Sequence, residues 1–128
     1  MTSVHQEQVH ASMQLLCDSV LELDKVRFAG VISNLGNLYA GGFKKGITPY
    51  ANNEKRRSMY MRFALESSFR KDFDDSFGEF QYSIIQRKNV SIITLSICSY
   101  ILLVFAEPHI DVHTLINWIQ NLVDINEE

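Results

Sequence analysis

The chain has 128 residues, 46% of them apolar and 21% charged, with a formal charge of −3. That length makes one domain of ordinary size and buries roughly two thirds of its unfolded surface, so the core requires no metal or disulfide staple. The composition excludes disordered, collagen-like and coiled-coil chains, and the mild acidity argues against a general nucleic-acid binder. We expect a single domain over residues 1–128. Cys17 and Cys98 form no CxxC pair and read as buried thiols, and Met1 to Gln8 lack a basic and apolar signal segment, so a reducing cytoplasm is the expected compartment.

In chain order, Val9, Met13, Leu16, Val20 and Leu23 form one stripe and predict a helix over Val4 to Glu22. Val26 to Ser33 predicts a strand, Asn34-Leu35-Gly36-Asn37 a hairpin turn, and Leu38 to Phe43 the return strand, weakened at Gly41-Gly42. Lys44 to Asn52 is a loop. Asn52 or Asn53 caps a second helix that ends near Lys71, before Asp72, Asp74 and Asp75. Glu79 to Gln86 alternates as a strand, and Arg87-Lys88-Asn89 is a turn. Val90 to Phe105 runs sixteen residues without charge, short of the ~20 a membrane helix needs. Its β-branched residues, its serines and Thr94 fit two buried strands instead, Val90 to Ile97 and Tyr100 to Ala106, joined near Cys98-Ser99. Asp111 caps a last helix that runs to Val123.

The order is α-β-β-α-β-β-β-α. The last two strands are apolar on both faces, which places them centrally with helices above and below. The expected architecture is an α+β three-layer sandwich around a five-stranded antiparallel sheet. The middle helix carries two apolar stripes. Met61, Ala64, Leu65 and Phe69 share one face; Met59, Tyr60, Phe63 and Ser67 lie nearly opposite. A monomer's surface helix needs only one; the second either meets a partner or, through Tyr60 and Phe63, lies under a loop such as Lys44 to Asn52. Phe80, Tyr82 and Ile84 lie on a lightly charged strand suited to an edge that pairs or is covered.

This element order resembles the roadblock domain, within the roadblock, longin and profilin-like group. Val26-Arg27-Phe28-Ala29-Gly30-Val31-Ile32-Ser33-Asn34-Leu35-Gly36 is similar to that group's first hairpin. Ser91 to Leu95 with Tyr100 to Phe105 is similar to its last. Tyr39-Ala40-Gly41-Gly42-Phe43 and Gly46-Ile47-Thr48-Pro49 resemble a small uncharacterised family of short archaeal proteins. The resemblance implies a homodimer or heterodimer through the middle helix and the strand after it, and a platform for small GTPases or their regulators without chemistry of its own. Met59, Tyr60, Phe63, Ser67, Phe80 and Tyr82 fall where that interface would be. The Lys44 to Asn52 loop is long for a roadblock domain. It leaves open a second reading, a small-molecule sensor of PAS-like or profilin-like layering with its ligand between sheet and loop.

Lys44 to Lys71 holds eight basic residues against Glu54 and Glu66, a formal +6 that leaves −9 elsewhere. Lys44, Lys45, Arg56 and Arg57 form a candidate patch for an anion or an acidic partner. No aromatic series interleaves these charges, so nucleic acid is not an expected partner. Gly41 to Gly46 is not a phosphate loop, because Ile47 and Thr48 stand where Lys and Ser/Thr belong. Pro108 and the Asp111 cap keep His109 off the helix that carries His113, so no zinc pair is expected. No catalytic residue, metal or cofactor is expected, since no nucleophile and base stand together.

Overall fold

The computed structural model describes residues 4–127; Met1 to Ser3 and Glu128, part of the expected domain span, lie outside them. The order is α1 (Val4–Leu21), β1 (Val26–Ile32), β2 (Leu38–Phe43), α2 (Asn53–Lys71), α3 (Asp74–Phe77), β3 (Tyr82–Gln86), β4 (Ser91–Ile97), β5 (Tyr100–Ala106) and α4 (Val112–Glu127). The five strands form one antiparallel sheet in the order β2-β1-β5-β4-β3. Helices α1 and α4 cover one face and α2 covers the other. This is the α+β sandwich expected from the sequence.

Strand β5 shows why two layers are needed. Leu102, Val104 and Ala106 enter the α1/α4 core, while Ile101, Leu103 and Phe105 enter the α2 core. Successive side chains on a strand point to opposite faces. A run of seven apolar residues therefore has no face to give to water. Each such side chain contributes about 1.5–3 kcal/mol when fully buried. The register between β1 and β5 shifts between Val26 and Phe28. The bulge changes the phase of β1, so that Val26, Ala29 and Val31 share one core and Phe28 and Ile32 the other.

Two stretches differ from expectation. Strand β3 begins at Tyr82 rather than Glu79, and a short α3 precedes it. Phe80 lies under the Arg70 guanidinium at 4.5 Å from the ring centroid, which draws the chain toward α2 and away from the ladder. Cys98, expected to be buried, is exposed in the β4–β5 turn with φ 53°. Cys17 is buried as expected, and burial pushes its thiol up to about 12.

Buried hydroxyls are satisfied. The Ser83 and Thr94 hydroxyls bond each other, and Ser91 Oγ donates to Gln86 Oε1 at 2.7 Å. Both contacts tie the edge strand β3 to β4. On the opposite edge, Gly41 has φ +84°, and its N–H donates to Gln14 Oε1 of α1 at 3.0 Å. A Cβ there would stand 2.1 Å from the Ala29 carbonyl oxygen and 2.8 Å from Cys17 Sγ. A Cβ on its neighbour Gly42 would meet nothing within 4 Å.

Two outcomes follow for stability. Gly41→Ala lowers the unfolding free energy by at least about 1–3 kcal/mol in urea, whereas Gly42→Ala changes it by no more than about 1 kcal/mol. Asp111 accepts from the Thr114 hydroxyl at 2.8 Å and the Thr114 backbone N–H at 3.2 Å. These bonds hold its carboxyl below the usual value of 3.8. A depressed folded-state pKa gives stability that is present above the unfolded value and lost as pH falls through the folded one. Asp111→Ala therefore lowers the melting temperature at neutral pH, and the gap to the unaltered chain closes in thermal melts below pH 3.8.

Candidate interaction surface

Helix α2 is capped by Asn52, whose side chain accepts from the Lys55 N–H at 2.9 Å. The helix has two apolar stripes, and Phe28 decides between them. Phe28 is fully buried on the α2 side of β1. Its ring stacks on Phe105 at 4.8 Å and on Tyr60 at 6.1 Å, and meets Phe43 edge-on at 4.8 Å. Aromatic pairs at these spacings are worth about 0.5–1.5 kcal/mol beyond the area they bury. Tyr60 and Phe63, together with half-buried Met59, thus belong to the core of this chain. Burial also raises the Tyr60 hydroxyl above its ordinary value.

This corrects the expectation that Tyr60 and Phe63 face a partner. Their exposures are 6% and 7%. The free stripe is the opposite one, where Met61, Leu65 and Phe69 are 61%, 57% and 59% exposed. It continues past the helix into Phe73 and Phe77, whose exposed rings stack at 5.9 Å. Ser67 is half-buried and stands on the core-facing side. Gly36 of the β1–β2 turn comes up against this helix; a Cβ there would lie 2.6 Å from Met61 Cα.

Strand β3 is an edge of the sheet and pairs only with β4. Its five residues carry no charge and no proline, the usual guards against strand addition. Tyr82 and Ile84 pack toward α1 and α4, and Ile85 toward α2. Phe80 is half-buried beneath Arg70, so the end of α2 is joined to the chain just before this edge. The chain thus presents an exposed apolar helix face and an undefended strand edge.

The basic patch is divided. Lys44 Nζ donates to the carbonyls of Leu23 and Asp24 at 2.6 and 3.1 Å, closing the end of α1. It is turned away from Arg56, which donates to the Ala51 carbonyl and to Asn53 Oδ1. Lys45 and Arg57 are exposed. One basic residue that the sequence left unmarked organises the loop. Arg27, on the β1 bulge, donates to Glu107 at 3.0 Å and to the Thr48 carbonyl at 3.1 Å, and its guanidinium lies 4.1 Å from the centre of the Tyr50 ring. A lone Arg inside an apolar strand was the available signal. Among the described residues, no group of three His, Cys, Asp or Glu stands close enough to hold a metal. No helix of theirs is long and apolar enough to cross a membrane.

Residues 7–126 match a family described as a family of unknown function, DUF6659. No protein of curated function matches the chain. The fold is that of solved roadblock and profilin structures. A roadblock/LC7 domain from Streptomyces avermitilis aligns with TM-score 0.66 at 13% identity, over 88% of this chain and 92% of that one. MglB of Myxococcus xanthus aligns at 0.68 and 14%, over 88% and 89%. A profilin from Schizosaccharomyces pombe aligns at 0.62 and 14%, over 88% and 94%.

The two faces of α2 separate in stability measurements at sub-micromolar protein. Phe63→Ala costs about 3–5 kcal/mol of unfolding free energy, the cost of an emptied core site. Leu65→Ser or Phe69→Ser changes it by no more than about 0.5 kcal/mol, as on an ordinary surface.

Proposed function

The chain belongs to the DUF6659 family, and we propose that it is a non-catalytic interaction domain of the cytoplasm that pairs with a second copy and docks a small GTPase or another regulatory protein. One observation carries this reading: the exposed stripe of Met61, Leu65 and Phe69 on α2, in a sheet whose β3 edge is paired on one side only. Contiguous apolar surface on a folded domain marks a contact site. Strand addition at β3 satisfies that edge's outward backbone groups with main-chain bonds and continues the sheet into the partner. The roadblock resemblance supports the same pairing and supports a GTPase as the further partner.

In this reading α2 works from both sides. Tyr60 and Phe63 fix it to the sheet, and Leu65 and Phe69 meet the second copy. Tyr82 and Phe80 lie at the rim of the joint, and Met59, Tyr60, Phe63 and Ser67 support it from within.

Native mass spectrometry and sedimentation test the pairing. The unaltered chain runs as a dimer at about micromolar concentration. Leu65→Glu with Phe69→Glu runs as a monomer with an unchanged circular dichroism spectrum. A monomeric unaltered chain at hundredfold higher concentration overturns the reading.

A further inference from the structure

A second site lies on the α2 side of the sheet, away from the Leu65–Phe69 stripe, beneath the loop that Arg27 holds down. It is a cavity of about 190 Å3 between β1, β2, β5, the start of β4 and the first turns of α2. Its floor is apolar: Phe43, Ile92, Phe105 and Met59. Its rim is cationic, with Arg27, Arg56 and Arg87 brought together from β1, α2 and the β3–β4 turn. Tyr50 of the loop and Val90 close the sides.

The charges do not cancel. Arg27 is paired with Glu107. Arg56 spends its donors on a neutral carbonyl and a neutral amide oxygen, and its guanidinium lies 5.2 Å from the Phe43 ring centre. Among the described residues, no carboxylate is paired with Arg56 or Arg87. Two uncompensated guanidinium groups over a greasy floor favour a ligand with an anionic head and an apolar body.

Volume and donor type narrow the class. At about 190 Å3 the cavity is below the range of about 300 Å3 and upward usual for drug-sized ligands. The fit is to a body of one ring or a short branched chain. The head is an anion, met by the two guanidinium groups left over once Glu107 has paired with Arg27. A flat carboxylate matches the planar fork of an arginine.

We propose that this cavity binds a small free carboxylic acid with an aromatic or branched aliphatic body, the carboxylate on Arg56 and Arg87 and the body against Phe43, Ile92 and Phe105. This site is independent of the docking reading above; either can stand without the other.

The test uses the full chain, isotope-labelled, titrated with benzoate and watched by NMR at arginine side chains and at the Ile92 and Met59 methyls. Saturable shifts at both sets of groups, with millimolar or tighter affinity, are expected. Arg87→Gln, an exposed change that leaves the circular dichroism spectrum unaltered, is expected to weaken benzoate about tenfold or more by removing a charge-assisted bond. Benzamide, which keeps the ring and loses the charge, is expected to bind at least tenfold more weakly. Equal binding of benzamide overturns the proposal, as does equal binding of inorganic phosphate, which would show an anion patch without an apolar subsite. Absence of saturation at about ten millimolar benzoate overturns it also. Tighter binding of a peptide ending in a free phenylalanine carboxylate would assign the cavity to a protein terminus and overturn the free-acid reading.

Discussion

The packing of Phe28 governs much of what the molecule presents to its surroundings. This ring is fully buried where β1, β2, β5 and α2 meet, touching Phe43, Phe105 and Tyr60. Helix α2 could satisfy a generic apolar surface with either stripe. In the fold Tyr60 stacks on Phe28 and Phe63 joins the same core, while Met61, Leu65 and Phe69 stay outside it. Once that choice is made, the other stripe is left in solvent by geometry alone. The same aromatic cluster supplies Phe43 and Phe105 to the floor of the cationic cavity.

The two helical layers are unequal. Among the described residues, eighteen buried residues cluster on the α1/α4 side and eight on the α2 side. A smaller core beneath a single helix is the weaker half of the sandwich, since stability grows with apolar area removed from water. Contacts that reach across that helix therefore matter more there. The β1–β2 turn, with Gly36 against Met61, braces one flank. Arg27 braces the other by drawing Thr48 and Tyr50 down over the sheet. A partner bound on Leu65 and Phe69 would add apolar cover on this thinner side.

The element order was legible because its signals are local. The unbroken apolar run of Tyr100 to Ala106 and the stripe of α4 survive any choice of neighbours. The site was less legible, and particular residues show why. Both stripes of α2 are apolar, so helical spacing finds them without ranking them; ranking needs the opposing rings of Phe28 and Phe105, which lie far off in sequence. Phe80 alternates correctly with Tyr82 and Ile84 and still lies outside the strand, because a guanidinium from α2 competes for its ring. Lys44 and Arg56 belong to one basic run, yet one closes α1 and the other faces a cavity. Charge runs record composition, whereas the direction of each side chain is set by the backbone that carries it.

Strands β1 and β5 are neighbours in the middle of the sheet, though one belongs to the first hairpin and the other to the last. Gly30 opposite Leu103 and Val31 opposite Leu102 join segments some seventy residues apart. Closing so long a loop costs entropy before any pairing repays it. Each hairpin can form locally, but neither buries both faces until the two zip together. During synthesis, the first hairpin and α2 must wait for the last strands to leave the ribosome. In that interval the aromatic cluster around Phe28 lacks Phe105, which leaves apolar surface of the nascent chain uncovered until β5 is in place.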